Sequence, residues 1–404
     1  MSGAAPRPSR VQRCQTAVAR QSYRALNGLL AAVRRLLWRG PRPAQAERIC
    51  IYRIGNLGDM ICAVPAMIAI RRAYPSARLT VVTSPGSRGM PGARELLEGA
   101  PWIDDLHVYY ADEIATLRSR AALVQHLRDL QADVWIELPA DLLTVGTALR
   151  NMAMAWGAGA RWAAGWRIHT LRWAARAEAI QRVFPTETER LMALVETLGI
   201  PTVPVEFPLP IRDAQRRVVG ERLREAGYEQ HPLVALAPGA KRAPNRWPLD
   251  RFAAVGERLV RRGYRVIVIG GESDAAVCRE VAARIGEGAV SWAGAATVLE
   301  SCELLRRCRL LVGNDSGVQH LAAAMQTPCL SIFSHRDIPG KWSPYGPVHT
   351  VLQKWVACHT CFVEQCPYDN RCINLVEVVD VLAHVDRLLA SGQVPSVPAA
   401  PPRP

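Results

Sequence analysis

Lysine, aromatic residues and long apolar runs are all scarce in this chain of 404 residues. Only three of its 50 basic residues are lysine, so arginine supplies almost all of the positive charge. Aromatic residues make up 6% of the sequence, which predicts a core that is mainly aliphatic. No run of about 18 apolar residues occurs, and this excludes a helix that spans a membrane.

The net charge of +14 is distributed unevenly. Residues 1–46 hold nine arginines and no Asp or Glu, which leaves only +5 for the rest of the chain. A nucleic-acid-binding protein is expected to carry a basic stripe on its folded part, so nucleic acid is not expected as a partner. The hydrophobic share of 49% and the charged share of 21% are typical of globular proteins, and the length predicts two domains.

The basic arm, residues 1–46, is predicted to contain one amphipathic helix. Residues 1–14 have a disordered composition, and residues 15–39 show helical periodicity. The apolar stripe consists of Leu26, Leu29, Leu30, Val33, Leu36 and Leu37. Most arginines fall outside this stripe, a pattern typical of a helix that lies on an anionic membrane surface. The alternative is an arm packed on the body of the protein. Because Arg34 and Arg35 interrupt the apolar stretch, we expect no signal peptide and a cytoplasmic protein held peripherally at the inner face of the membrane.

Strands and helices alternate through the remainder of the chain, which predicts the α/β class with parallel sheets. The predicted strands are Ile49–Ile54, Leu79–Thr83, Leu106–Tyr109, Val134–Leu138, Leu233–Ala237, Arg265–Gly270, Leu310–Val312 and Cys329–Phe333. We expect two doubly wound, Rossmann-like domains that face each other across a cleft. Their predicted ranges are 47–215 and 216–392, followed by a disordered tail over 393–404. Ligands should bind at the carboxyl ends of the strands.

The first candidate turn contains Asp59, which follows a strand and two glycines, Gly55 and Gly58. Its carboxylate could act at the mouth of a cleft, or it could cap the next helix. The G-x-x-G-D spacing differs from the dinucleotide fingerprint G-x-G-x-x-G. An NAD-dependent dehydrogenase is therefore a weak alternative.

The second candidate turn runs from Pro238 to Pro248 between a strand and a helix. Small residues such as Gly239 expose backbone N–H groups, while Lys241, Arg242 and Arg246 add positive charge. This composition can hold a diphosphate without a metal ion. The alternative is a solvated basic loop.

The third candidate turn contains Asp315, Ser316 and Gly317, with His320 one helical turn later. The N–H groups of Ser316 and Gly317 should point out of a helix start toward an anion. Asp315 could orient a sugar hydroxyl or cap the helix. At the end of another strand, Glu272 could accept hydrogen bonds from a ribose, and Asp274 competes for this role.

Four cysteines, Cys358, Cys361, Cys366 and Cys372, cluster near the end of the chain. Only the first pair has the spacing of a zinc ligand pair, with His359 as a possible substitute ligand. Packed or partly oxidised thiols are the favoured interpretation, and we predict no metal and no cofactor.

The order and separation of the three turns resemble glycosyltransferase family 9, the lipopolysaccharide heptosyltransferases, over about residues 48–390. The matching stretches are Gly58-Asp59 with Pro65 and Ala66, the Pro238–Pro248 segment that ends in Arg246-Trp247-Pro248, Asp315 through Ala324, and Trp342-Ser343-Pro344-Tyr345-Gly346. The cysteine spacing resembles that of the second heptosyltransferase of the inner core. Asn245 stands where inner-core enzymes of the family usually carry lysine, which leaves the identity of the donor open.

The resemblance implies a GT-B fold and an inverting transfer from a nucleotide sugar, typically ADP-heptose, to a glycolipid or glycan acceptor. It implies that Asp59 is the general base and that Asp315, Ser316, Gly317 and His320 belong to the donor site. Two alternatives remain. One is a family 9 transferase with another sugar and acceptor, and the other is a nucleotide-sugar binding protein without turnover.

Overall fold

A computed structural model describes residues 8–390, and the chain divides into two compact units. The N-terminal unit runs through Pro210 and also includes His335–Ser343 and Trp355–Phe362. The C-terminal unit contains Ile211–Ser334, Pro344–Lys354 and the chain from Val363. The predicted tail and the first seven residues of the predicted disordered segment lie outside the described residues.

The N-terminal unit is built on a five-stranded parallel sheet. Its elements are α1 (Arg10–Leu37), β1 (Arg48–Ile54), α2 (Leu57–Ala73), β2 (Arg78–Ser84), α3 (Ala93–Leu97), β3 (Asp105–Val108), α4 (Leu117–Arg128), β4 (Val134–Glu137), α5 (Val145–Gly157), β5 (Trp162–Ala164), α6 (Arg172–Ala179) and α7 (Glu187–Thr197). The strand order is β3-β2-β1-β4-β5. Ile49 of β1 lies opposite Leu79 on one side and Val134 on the other.

The C-terminal unit is built on a six-stranded parallel sheet. Its elements are α8 (Asp213–Glu225), β6 (Leu233–Ala237), α9 (Leu249–Arg261), β7 (Arg265–Val268), α10 (Ala275–Ile285), β8 (Ala289–Ser291), α11 (Val298–Arg307), β9 (Cys308–Asn314), α12 (Gly317–Ala324), β10 (Cys329–Phe333), β11 (Thr350–Gln353), α13 (Arg371–Asn374) and α14 (Val378–Ala390). The strand order is β11-β10-β9-β6-β7-β8. Two parallel sheets with intervening helices confirm the predicted α/β class.

Both sheets contain a point at which the strand order reverses. It lies between β1 and β4 in the N-terminal unit and between β6 and β9 in the C-terminal unit. Ligands of doubly wound sheets bind beyond the carboxyl ends of the strands at such a switch point. The turn with Asp59 follows β1, and the turns at Pro238 and Asp315 follow β6 and β9. All three turns that the sequence singled out therefore lie at a switch point of their own unit.

Helix α1 begins earlier than the sequence analysis predicted. It starts at Arg10 because Ser9 and Gln12 form a capping box, in which the Ser9 Oγ accepts the Gln12 N–H at 3.2 Å. The prediction of disorder is thus wrong for Arg10–Cys14. The helix ends at Leu37, and Trp38 after it is extended.

Most of the apolar stripe of α1 packs on the N-terminal unit. Leu30 and Trp38 are buried, and Leu26, Val33 and Leu37 pack against the same hydrophobic cluster. Polar contacts anchor the helix as well: the Asn27 side chain donates to the carbonyl of Ile168 and accepts its N–H, and the Trp38 indole donates to Ala160. The structure therefore shows the alternative left open, an arm packed on the body. The expectation that this stripe as a whole faces a membrane is wrong.

None of the helices between residues 8 and 390 is long and apolar enough to cross a membrane.

Candidate active site

Asp59 lies in the first turn of α2, directly after the short connection from β1. Its Oδ2 accepts the backbone N–H of Asn56 at 3.1 Å, so it contributes to the cap of α2. The side chain is 24% exposed, so a ligand that enters from the solvent can contact the carboxylate. Gly55 permits this close turn, because a Cβ at that position would lie 2.2 Å from the Cβ of Asp59.

Arg53, near the end of β1, is completely buried beside Asp59. Its Nη1 donates to the carbonyls of Leu138 and Pro139 at 3.1 and 2.8 Å. Its Nη2 lies 3.4 Å from Oδ1 of Asp59 and 3.0 Å from Oε1 of Glu187. Because Leu138 and Pro139 follow β4, this one guanidinium ties together the two strand ends at the switch point.

The electrostatic environment makes Asp59 more basic than a free aspartate. Burial raises the pKa of the Asp59 carboxyl, Arg53 opposes this rise, and the negative charge of Glu187 adds to it. A carboxylate with a raised pKa is a better proton acceptor near neutral pH. The turn can therefore perform general base chemistry.

Buried charged groups beyond Arg53 complete this part of the site. Glu187 at the start of α7 accepts from Arg190 Nε and Nη2, both at 2.7 Å. Lys341 Nζ lies 3.2 Å from Asp141 Oδ2, and both of these side chains are buried. The sequence analysis did not identify any of these residues. Arg53 inside the apolar strand RICIYRI is a signal from which such partners could be predicted, because a buried guanidinium requires acidic or carbonyl partners.

In the C-terminal unit, hydrogen bonds join the turns that follow β6 and β9. Asn245 Nδ2 donates to Asp315 Oδ2 at 3.0 Å, and Ser334 Oγ donates to Asn245 Oδ1 at 2.6 Å. Gln319 Nε2 donates to Asp315 Oδ1 at 3.2 Å. Asn314 Nδ2 donates to the carbonyl of Pro238 at 2.7 Å. Both oxygens of Asp315 are thus held by amide donors.

The basic side chains of the turn after β6 are not equivalent. Lys241 and Arg246 are exposed, and Arg246 Nε donates to the carbonyl of Ala240 at 2.9 Å. Arg242 forms an ion pair with Glu364, which reduces the charge that it can offer to a ligand. Lys241 and Arg246 are therefore the better candidates for a diphosphate.

Of the two acidic candidates near the end of β7, Asp274 lies closer to this turn. A Cβ on Gly239 would lie 2.3 Å from Cγ of Asp274, so the carboxyl group packs directly on the glycine. Burial raises the pKa of Asp274, and the charge of Arg246 opposes the rise. Glu272 is exposed and lies against Gly294 instead, where a Cβ would be 2.3 Å from its Oε2. The geometry favours Asp274 over Glu272 as the residue that could accept hydrogen bonds from a ribose.

The start of α12 presents the third turn. Ser316 is the N-cap residue, the helix begins at Gly317, and both residues are partly exposed. The first N–H groups of a helix have no partner within it, and its dipole favours an anion there. His320 lies one turn further on and is buried, with only 4% of its surface exposed. Ser316 and Gly317 are therefore better placed than His320 to meet a ligand.

The model of glycosyltransferase family 9 (heptosyltransferase) matches residues 120–371, more than half of the chain. The chain belongs to glycosyltransferase family 9. It is therefore an enzyme that transfers glycosyl groups, as the sequence analysis predicted.

Relatives of this family 9 transferase include two curated heptosyltransferases. It is 28% identical over 160 residues to lipopolysaccharide heptosyltransferase 2 of Salmonella typhimurium, a match that covers 37% of this chain and 46% of that protein. It is 24% identical over 344 residues to lipopolysaccharide heptosyltransferase 3 of Escherichia coli, covering 83% and 97%. The match to the first relative thus spans about half of its length.

The solved structure of ADP-heptose LPS heptosyltransferase II from E. coli resembles the family 9 transferase in fold. The TM-score is 0.62 at 20% identity, over 85% of this chain and 99% of that one. This likeness confirms the GT-B fold expected from the sequence.

The four clustered cysteines of the family 9 transferase differ in exposure. Cys372 is buried, and Cys358, Cys361 and Cys366 are partly exposed. Among residues 8–390, no three His, Cys, Asp or Glu side chains form a group that could hold a metal ion.

Proposed function

We propose that this family 9 transferase moves a heptose from ADP-heptose to a lipopolysaccharide-core acceptor, with inversion at the anomeric carbon. Its curated relatives are named as lipopolysaccharide heptosyltransferases, and the solved structure is named as an ADP-heptose enzyme. The observation that carries the proposal is the partly exposed carboxylate of Asp59, which accepts the Asn56 N–H and lies beside a buried arginine.

Asp59 acts as the general base. Its carboxylate removes the proton of an acceptor hydroxyl as that oxygen bonds to the anomeric carbon and the bond to the diphosphate breaks. General base catalysis of this kind contributes about 10²–10⁴-fold. The raised pKa of Asp59 suits it to this step near neutral pH.

The C-terminal unit binds the donor. Gly239 and the helix start at Ser316 and Gly317 offer backbone N–H groups, and Lys241 and Arg246 neutralise the charge that develops on the leaving diphosphate. Three further residues complete this site. Asp315 orients donor hydroxyls, His320 lies buried one turn into α12, and Asp274 rather than Glu272 accepts hydrogen bonds from the ribose.

Asp59→Asn tests the base. The amide oxygen can still accept the Asn56 N–H, so the helix cap is kept while the proton acceptor is lost. Transfer should fall about 10²–10⁴-fold, with the Kd for ADP-heptose nearly unchanged by calorimetry. Asp250→Asn, in the first turn of α9, is the matched control. Full transfer by Asp59→Asn would contradict the base role.

Asn245 favours a second candidate, a donor that is a nucleotide sugar other than ADP-heptose. The neutral amide of Asn245 binds Asp315, whereas the inner-core enzymes that the sequence resembles usually carry lysine at this position. A thermal-shift panel of ADP-, GDP-, UDP- and dTDP-sugars separates ADP-heptose from other donors, because a ligand that binds only the folded protein raises the stability of the fold. We expect ADP-heptose to give the largest shift. A larger shift from another nucleotide sugar would assign a different donor, and binding without any transfer would favour a binding protein.

We also propose that α1 attaches the enzyme to the inner face of the cytoplasmic membrane. Four large apolar residues on α1 remain exposed although another face of the helix packs on the N-terminal unit: Val11, Val18, Leu29 and Leu36. Their spacings of seven, eleven and seven residues place them on one line of a helix with 3.6 residues per turn. Exposed arginines of α1 stand outside this line, at positions 10, 13, 20, 24 and 35. A helix that exposes both an apolar line and several arginines fits an anionic lipid surface.

The double variant Leu29→Glu, Leu36→Glu tests attachment without disturbing the packed face. We expect flotation with vesicles of anionic phosphatidylglycerol to drop about tenfold, since two apolar contacts are replaced by repelled charges. Leu117→Glu with Val379→Glu alters equally exposed apolar residues outside α1 and serves as the control. Unchanged flotation of the α1 variant would remove the membrane proposal. Deleting the arm is a poorer test, because it would uncover the cluster that Leu30 and Trp38 bury.

A further inference from the structure

Five charged groups surround Asp59 or lie close to it, and they come from four parts of the N-terminal unit. Arg53 belongs to β1, Glu187 and Arg190 belong to α7, Asp141 follows β4, and Lys341 belongs to the returning segment His335–Ser343. On α2 the buried thiol of Cys62 lies near the carboxyl. Three cations thus balance the three anions Asp59, Asp141 and Glu187.

Arg53 is shared unequally between the two carboxylates that it faces. Its Nη2 lies 3.0 Å from Glu187 Oε1 but 3.4 Å from Asp59 Oδ1. The carbonyls of Leu138 and Pro139 hold the other end of the guanidinium. Arg53 therefore cannot move toward Asp59 without weakening its contacts with Glu187 and these carbonyls.

Glu187 is itself held in place as an anion. Burial alone would raise its pKa, but the charges of Arg190 and Arg53 overcome this effect and lower the pKa of Glu187 to about 2. Arg190 donates twice to the Glu187 carboxylate, and its Nη2 also donates to the carbonyl of Pro139. Glu187 is consequently charged and fixed at every pH at which the enzyme would work.

We propose that Glu187, fixed by Arg190, is a positioning residue for the general base: it holds Arg53 away from a close ion pair with Asp59. A tight Arg53–Asp59 pair would stabilise the ionised carboxylate and make it a poor proton acceptor. With Glu187 present, Asp59 keeps a neighbouring positive charge that orients it and still takes the proton of the acceptor hydroxyl. This inference rests on the proposed base role of Asp59.

Glu187→Gln removes the negative charge and keeps the shape of the side chain. Arg53 then acts on Asp59 without a competing carboxylate, so the pKa of Asp59 falls. Activity that requires ionised Asp59 rises with pH through this pKa, and the acid limb of kcat/KM must therefore move to lower pH. We expect kcat at neutral pH to fall about tenfold as the base weakens, while the Kd for ADP-heptose is unchanged.

Glu303 provides a matched control for loss of a buried glutamate. It is completely buried on α11 of the C-terminal unit and pairs with Arg306 and Arg307. Glu303→Gln leaves two arginines with a similar loss, so its melting temperature should fall like that of Glu187→Gln, but the acid limb should stay in place. A limb that moves equally in both variants would overturn the proposal, because the shift would then reflect general destabilisation.

Glu187→Asp keeps the test available if Glu187→Gln does not fold. The charge is retained but withdrawn by one methylene, so the limb should move in the same direction by a smaller amount. A pH profile identical to wild type in the variant that folds would overturn the positioning role. The Asp59→Asn result separates the two levels: if that variant keeps full transfer, the base role and this inference both fail. If it is inactive and the limb of the Glu187 variant is unmoved, only this inference fails.

Discussion

Asn245 shows how one side chain can set the charge of the proposed donor site. The amide donates to Asp315 while its oxygen accepts from Ser334, so the residue is satisfied on both sides. Asn245→Asp keeps the oxygen facing Ser334 but places a second carboxylate about 3.0 Å from Asp315. Two carboxylates at this separation cannot both remain ionised without cost.

We expect Asn245→Asp to weaken ADP binding about tenfold at pH 8, because the added negative charge repels the diphosphate. At pH 5.5 the pair shares a proton, and the loss should be smaller. Calorimetry with ADP at both pH values measures this. Asn374→Asp, where the native amide donates to a backbone carbonyl of the same unit, is the control. Equal affinity of Asn245→Asp and wild type at pH 8 would show that this turn does not meet the diphosphate.

At the scale of single residues, the sequence allowed the turn residues to be predicted but not their supports. Asp59 and Asp315 follow apolar strands, and the ends of parallel strands converge at a switch point. Glu187 is 134 positions from Arg53 in the chain, and nothing local in its own helix indicates that contact. The preference for Asp274 over Glu272 as a ribose acceptor depends on the packing of Asp274 against Gly239, which the sequence does not show.

Three edge strands, β5, β8 and β11, are among the elements that sequence patterns missed. β5 and β8 have three residues each, which is too few for an alternating pattern to be visible. The central strands β1, β6 and β10 were predicted because long apolar runs mark strands buried on both faces. α7 was missed although Thr186 and Glu189 form a capping box that its sequence displays.

Gly165, directly after the edge strand β5, occupies a position where only a residue without a side chain fits. Its φ is +120°, and a Cβ would lie 1.9 Å from the carbonyl oxygen of Glu137 in β4. Gly165→Ala should therefore lower the free energy of unfolding by about 3 kcal/mol, measured by urea denaturation. Gly146→Ala in α5 has open space around the new methyl group and should be neutral or stabilise by about 0.5 kcal/mol. Similar stabilities for the two variants would contradict this account of β5.

The molecule as a whole carries buried carboxyls with opposite effects on its pH stability. The pKa of Glu187 is lowered to about 2, so its contribution is present above the unfolded value of 4.5 and disappears as the pH falls toward 2. Glu137 at the end of β4 behaves in the opposite way. Burial raises its pKa to about 7, although Asn151 and Trp166 donate hydrogen bonds to it.

Glu137 makes the folded chain lose stability as the pH rises through a defined window. Below its unfolded value of 4.5 the carboxyl is protonated in both states. Between 4.5 and about 7 the folded chain retains a proton that the unfolded chain has released, so the free energy of unfolding falls with increasing pH. One proton corresponds to a slope of about 1.4 kcal/mol per pH unit. Above about 7 both states are ionised, and this contribution to the slope vanishes.

Glu137→Gln should remove this slope, because the amide stays neutral throughout. Urea denaturation between pH 5 and 7 should show a pH dependence shallower than that of wild type by up to about 1.4 kcal/mol per unit. The absolute stability is a poorer readout, since the Gln amide leaves one of the two donors, Asn151 or Trp166, without an acceptor. Exposed Glu225→Gln should leave the wild-type slope intact. If Glu137→Gln also keeps that slope, the buried carboxyl of Glu137 is ionised in the folded enzyme across this pH range. The carboxyl ends of the strands in the N-terminal sheet would then hold one more fixed negative charge than the burial of Glu137 suggests.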